Sequence, residues 1–444
     1  MPVSSARAAA FDILIRVERD HSYASELLHS PAHKHLSTPD HNLLTELVMG
    51  VIRWRSTLDR EIAQASSQPL ARLDLEILTS LRLALYQLRH LDRIPPRAAL
   101  NESVELVKRA RKRSAAPFVN AVLRKLSKNP LCNPVSPVVN EGSIAETLAH
   151  PEWLVKRWIK AYGEEATRRI CEHDQSIPRI TIRLRTPDAE QHLAAEGIET
   201  SPGRLMLSAR IVTAGDVTKT AAFRTGEIAI QDEASQLVAA LIGKGERILD
   251  SCAAPGGKTL AISDQNPQSS ITALELHPHR ATLLRKLTEP SKTHIDVVIA
   301  DAQHIPVSRL YDRVLADVPC SGTGTLARNP EIKWRLRPED LPDLQQRQLA
   351  ILRSAMTQVS PAGRLIYSTC SLEKEENEDV VQQAVAEDDK FRLVPCEQEL
   401  ERLKNSGELT WPDPSSLTNA GYLRTIPGIQ PFDGFFAAIL ERRK

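Results

Sequence analysis

Apolar positions in the first 130 residues recur at offsets of three and four. In LDLEILTSLRLALYQLRHL, Leu78, Leu81, Leu85 and Leu88 fall on one stripe, which predicts a helix packed by a single face. Asp74 opens that helix and His90 sits near its end, each suited to the local dipole. The same period runs through RAAAFDILIRVER, HNLLTELVMGVIRWR and FVNAVLRKL. IPPR interrupts it, and NESVELVKRA restarts it with Asn101 as the expected N-cap. Residues 129–143, NPLCNPVSPVVNEGS, read as a linker. Beyond it PEWLVKRWIKAYG has a helical pattern, RITIRLRT alternates as a strand, and PDAEQHLAAEG is a helix ending at Gly197, together a small β/α insert.

From residue 231 the rhythm becomes strand, loop, helix. ERILD, SITALEL, DVVIAD, DRVLADVP, GRLIYST and GFFAAIL are apolar runs of strand length, separated by helical stretches such as PHRATLLRKL and DLPDLQQRQLAILRSAMTQV. Such alternation predicts a mainly parallel sheet with helices on both faces. Ligands of such sheets bind beyond the carboxyl ends of the strands, where chemistry-bearing residues should gather.

Composition narrows the class. At 444 residues, 41% hydrophobic and 25% charged, the chain is globular and long enough for two or three folding units. No apolar run approaches the roughly 20 residues of a membrane span, and the N-terminus shows no signal-peptide pattern, so a cytoplasmic protein is expected. The net charge of +1 is uneven: residues 1–130 hold 20 Lys/Arg against 13 Asp/Glu. A basic front suggests a polyanionic partner. KRARKRS, with Lys108, Arg109, Arg111, Lys112 and Arg113, is the best candidate for phosphate contact, against the bland reading of a solvated helix face. The six cysteines form no CxxC pair, which argues against a zinc ribbon or a disulfide framework.

DSCAAPGGKT follows a strand and precedes a helix. Gly256 and Gly257 permit positive φ and close backbone approach to a ligand. A phosphate loop is disfavoured, because the position of its first glycine holds Cys252. Glu275, Asp301 and Asp317 then end successive strands. Each alone reads as a turn or capping residue, but in strand order they describe a pocket for an adenosine-bearing cofactor. Cys320 and Cys370 also follow strands on that edge, unlike Cys132, Cys171 and Cys396, which read as structural.

DSCAAPGGKT, ADVPCSGTGT and YSTCS, with IQDEASQLVA before the first strand and DGFFAAIL at the C-terminus, resemble the NOL1/NOP2/Sun family of RNA cytosine-5 methyltransferases. LVMGVIRWRSTLD, LRLALYQLRHLDRIP and FVNAVLRKL resemble the NusB-like RNA-binding domain. The resemblance covers nearly the whole chain and is weakest over about 135–225. It implies a multidomain chain: an all-α NusB-like N-terminal domain over 1–135, a small α+β insert over 145–230, and a C-terminal α/β Rossmann-like methyltransferase domain over 231–444. It implies S-adenosylmethionine (SAM) as cofactor, held by Cys252, Ala253, Ala254, Pro255, Gly256, Gly257 and Lys258 with Glu275, Asp301 and Asp317. Glu275 stands where the family more often has Asp, Ser251 replaces an apolar residue, and Lys374 replaces Pro; none removes a reacting group.

By the same resemblance Cys370 adds to C6 of the base, which makes C5 nucleophilic. Cys320 removes the C5 proton or assists its removal, and Asp317 can also bind the cytosine N3/N4 edge. The implied partner is 16S ribosomal RNA presenting an unpaired or flipped cytosine. No metal, membrane or obligate protein partner is implied, and a monomer is expected. Three rivals stay open: a DNA cytosine-5 methyltransferase with Cys320 as nucleophile, a relative acting on transfer or 23S RNA, and a non-enzymatic RNA-binding assembly factor.

Overall fold

The computed structural model describes residues 3–33, 35–128, 143–306 and 309–444. Cys132 and all of the expected linker except Ser143 lie outside them. The chain forms two compact units, Met1–Ile177 with Leu326–Arg335, and Pro178–Thr325 with Leu336–Lys444. No helix among the described residues is long and apolar enough to cross a membrane.

The first unit is helical, with Ser5–Arg19, Thr38–Arg53, Arg55–Ala65, Leu75–His90, Pro96–Arg109 and Ala116–Lys128 around one apolar core. The helix Leu75–His90 departs from the one-faced expectation. Thr79 to Gln87 are buried all round, so it runs through the centre of the bundle, while Leu78 and Leu88 are half-buried. Its buried Arg82 is tolerated because Asp59 accepts two hydrogen bonds from it, at 2.6 and 2.7 Å. Asn101 is not an N-cap. The next helix begins at Pro96, whose fixed φ and missing N–H suit the first helical position, and Asn101 lies inside it. His90 does not serve the helix dipole as a cation either. Burial pushes its pKa down to about 4, and it stacks on Trp54 and Tyr86.

The return segment Leu326–Arg335 is a feature the sequence pattern did not announce. Arg53 donates to Ala327 O at 2.8 Å, Trp334 donates to Ile52 O at 2.7 Å, and Glu331 accepts from Ala24 N at 2.8 Å. The helices Glu152–Tyr162 and Glu164–Gln175 also belong to this unit.

In the second unit the insert is a four-stranded antiparallel sheet, β1 (Thr181–Leu184), β2 (Glu199–Pro202), β3 (Ala209–Ala214) and β4 (Ile228–Ile230), in the order β2-β3-β1-β4. The larger sheet holds β5 (Arg247–Asp250), β6 (Ser270–Glu275), β7 (His294–Ile299), β8 (Tyr311–Asp317), β9 (Val359–Thr369), β10 (Phe391–Val394), β11 (Thr418–Asn419), β12 (Tyr422–Thr425) and β13 (Phe435–Arg442). Its order is β7-β6-β5-β8-β9-β13-β12-β11, with β10 also on β13. The strands from β7 to β9 are parallel, and β13 turns antiparallel against β9, so the sheet is mixed. Strand order reverses between β5 and β8, which opens a crevice at their carboxyl ends.

Candidate functional site

Four strands of the parallel half end in the residues that matter: Asp250 on β5, Glu275 on β6, Asp317 on β8, and Thr369, one before Cys370, on β9. After β5 the chain is pinned by Ser251, whose N and Oγ both donate to Leu315 O, at 2.9 and 3.0 Å. A polar residue is thereby satisfied in a buried position. Gly256 caps the helix Gly257–Gln265 at φ +116°, and a Cβ there would lie 2.7 Å from Leu284 Cδ1. Its glycine is required by backbone conformation and by packing. Asp250 was not singled out by sequence, yet it is buried and accepts from Thr259 Oγ1 at 2.6 Å. Burial pushes its pKa up to about 6. An acidic residue closing an apolar strand directly before the Gly loop was the available signal.

A cavity of about 380 Å³ opens at this edge, lined by Ser251, Cys252, Ala254, Glu275, Asp301, Asp317, Cys320 and Cys370, among others. Ala253, Pro255, Gly256, Gly257 and Lys258 are not among its lining residues; the first three lie in the turn after β5, and Gly257 and Lys258 open the helix Gly257–Gln265. Glu275 and Asp301 each spend one oxygen locally, accepting from His277 N at 2.8 Å and Gln303 N at 2.9 Å. These are the turn and capping roles weighed against a ligand role; Asp301 Oδ2 also accepts from Gln303 Nε2 at 3.4 Å and Glu275 Oε2 lies 4.0 Å from Arg280 Nη1, yet each carboxylate lines the cavity and keeps further lone pairs for a donor there. Donors such as a ribose diol and an exocyclic amine match that arrangement, so the residues fit an adenosine-bearing cofactor. Arg280 and Arg347 also reach the cavity; both lie on helices and carried no motif.

Lys258 is not itself a lining residue, but it reaches one that is, Asp317. Its Nζ donates to Asp317 Oδ2 at 2.8 Å and lies 4.9 Å from the Phe435 ring centre. Burial alone would lower its pKa, but Asp317, with Cys370 also nearby, carries it above the ordinary lysine value. The other Asp317 oxygen accepts from Ser368 Oγ at 2.7 Å.

Cys320 Sγ and Cys370 Sγ lie 3.4 Å apart, 50 residues apart in sequence. The Cys320 thiol is pushed well above its ordinary pKa, first by its hydrogen bond with Cys370 and then by burial. Burial likewise raises Cys252 and Cys171, and pushes Cys396 up to about 12. The two loops also touch through backbone: Gly324 N donates to Cys370 O and Gly434 N to Gly324 O, both at 2.8 Å. A Cβ on Gly324 would overlap Gly434 O and come within 2.9 Å of Cys370 O. Gly324→Ala should therefore lower stability by about 1–3 kcal/mol in urea melts. Gly257→Ala, whose Cβ meets nothing closer than 3.8 Å, serves as the control expected to show little change.

The basic segment is partly neutralised. Lys108 pairs with Glu105 at 2.7 Å, Arg109 with Asp12 at 2.7 Å and Lys112 with Asp74 at 2.9 Å. Arg111 and Arg113 are exposed and make no ion pair with another described residue.

Comparison with known proteins gives three matches along the chain. Residues 240–441 match the model of the 16S rRNA methyltransferase RsmB/F family, residues 4–128 the NusB family, and residues 150–217 the ferredoxin-like domain of RsmF/B-like methyltransferases. The probable ribosomal RNA small subunit methyltransferase B of Bacillus subtilis is 34% identical, covering 100% of both chains. The ribosomal RNA small subunit methyltransferase B of Vibrio cholerae is 29% identical over 99% of this chain and 98% of its own. Among solved structures, a methyltransferase homolog protein from Pyrococcus horikoshii is 25% identical with a TM-score of 0.57, covering 69% of this chain and 100% of its own.

Proposed function

Because the chain belongs to the 16S rRNA methyltransferase RsmB/F family, we propose that it methylates carbon 5 of one cytosine in 16S rRNA, cytosine 967, through a covalent adduct on Cys370. The observation that carries this reading is the pair of thiols 3.4 Å apart on the wall of a cavity also lined by Glu275, Asp301 and Asp317. SAM, when bound, supplies an electrophilic methyl group. Glu275 and Asp301, both lining the cavity, would hold its ribose and adenine as hydrogen-bond acceptors. Ser251, Cys252 and Ala254 form the wall beside them, on the turn after β5 that Ala253, Pro255 and Gly256 share and that Gly257 and Lys258 continue as a helix.

Cys370 attacks C6 as a thiolate and the ring electrons move to C5, which would take the methyl group as the sulfonium S–CH3 bond breaks and its electron pair stays on the departing S-adenosylhomocysteine. Asp317, oriented by its hydrogen bonds with Lys258 and Ser368, accepts from the cytosine N4 edge. Cys320 then takes the C5 proton, and the C5–H electrons return to the ring as the C6–S bond breaks. Its raised pKa fits this order. Cys370 is the first cause of the rise, so once Cys370 is bonded to C6 that cause disappears and Cys320 is freer to act as a base. Lys108, Arg109, Arg111, Lys112 and Arg113 contact the RNA backbone, with unpaired Arg111 and Arg113 leading.

Removing the Glu275 carboxylate should cost one charge-assisted hydrogen bond, so Glu275→Ala is expected to weaken SAM binding about 10- to 100-fold by calorimetry. Unchanged affinity would take Glu275 out of the cofactor site. The function itself is tested with isotope-labelled SAM and 16S rRNA, followed by nucleoside analysis. Label should appear in 5-methylcytidine; label on the exocyclic nitrogen, or none, would refute the reading.

A further inference from the structure

We infer that Glu376 is a positioning residue for methyl transfer, its buried carboxylate gripping the residue that follows each cysteine and so setting the spacing of the two thiols. The inference rests on the thiol-pair reading above.

Glu376 is fully buried in the turn Lys374–Glu376 that follows β9 and Cys370. Its Oε1 accepts from Ser321 N and from Gln348 Nε2, both at 2.8 Å. Its Oε2 accepts from Ser321 Oγ at 2.5 Å and from Ser371 Oγ. Ser321 follows Cys320, and Ser371 follows Cys370. The residues that precede the cysteines lead to the same place. Gln348 Nε2 donates also to Pro319 O at 3.0 Å, and Thr369 Oγ1 donates to Asn377 Oδ1 at 2.5 Å. Tyr367 OH, donating to Glu376 O at 2.6 Å, fixes the backbone from which the side chain reaches.

Four donors converge on one group that can only accept, which is the arrangement a carboxylate satisfies and no neutral side chain of that size fully can. A buried negative charge is expensive unless each lone pair is used, and here the use falls on two loops from different strands. Glu376 touches no sulfur through a hydrogen bond, so its effect passes through Ser321 and Ser371. After the Cys370 hydrogen bond and burial, the nearby Glu376 carboxylate is a further, smaller cause of the raised Cys320 thiol.

The spacing can be read without any methyl transfer. Diamide takes two electrons and two protons from a close thiol pair, leaving a disulfide and the reduced hydrazine, and the closing rate reports how often the sulfurs meet. In the full-length protein, Glu376→Ala should retain SAM affinity, slow closure of the Cys320–Cys370 disulfide about tenfold or more, and lower kcat about 100-fold with KM for RNA unchanged. Ser371→Ala, which cuts only the arm beside Cys370, should act in the same direction and carries the test if the first variant does not fold. Wild-type closure and wild-type kcat in a folded variant would overturn the inference. Slow closure in the variants of a protein that methylates no cytosine would instead leave the clamp standing and remove the function.

Discussion

Cys370→Ala is expected to form no covalent complex with RNA containing 5-fluorocytosine and to lose turnover by about 10⁴-fold or more, the scale seen when a nucleophile is deleted. Cys320→Ala should behave in the opposite way on a denaturing gel. It retains or accumulates RNA-bound enzyme from unmodified substrate, because the adduct still forms but the proton at C5 leaves slowly, a loss of about 10²–10⁴-fold for a missing base. The 3.4 Å between the sulfurs makes the contrast informative, since each variant leaves the other thiol in place on the same cavity wall. A reversed pattern would give Cys320 the attacking role, as in the DNA enzymes that also carry a Pro-Cys motif.

Asp317→Ala should be the most damaging change for stability. Lys258 is only 13% exposed and Asp317 24%, so deleting the acid leaves a largely buried ammonium without its partner. A loss of about 3 kcal/mol follows from breaking such a pair, together with loss of turnover. The double variant Lys258→Met/Asp317→Ala removes both charges and should recover most of the melting midpoint but none of the methyl transfer. Because Asp317 raises the Lys258 pKa above its unfolded value, this stabilisation is fully present below the ordinary lysine value near pH 10.5 and fades as pH rises through the higher folded value. A double variant no more stable than Asp317→Ala alone would mean that the pair is incidental.

The parallel strands were legible because β5, β6, β8 and β9 bury nearly every position after their first residues, and a short unbroken apolar run records that directly. The edge strands were not. β2 and β3 are half-exposed, and β10 to β12 are short and interleaved with polar residues, so no period marks them. Of the site, the two cysteines and three carboxylates were readable from their places after strands. Glu376 was hidden because KEENED has the composition of a solvated charge run. Lys374 indeed pairs with Asp379 at the surface, and only the tertiary crossing of the two loops buries the third residue of the run. Lys258 was read as part of a ligand loop, and its turn toward Asp317 depends on β8, 59 residues away.

Peptide mapping of the complex trapped on 5-fluorocytosine RNA tests the central chemistry most directly. After nuclease and trypsin, the nucleotide should remain on LIYSTCSLEK, the peptide that holds Cys370. Nucleotide mass on VLADVPCSGTGTLAR, the peptide of Cys320, or on neither, would contradict the account.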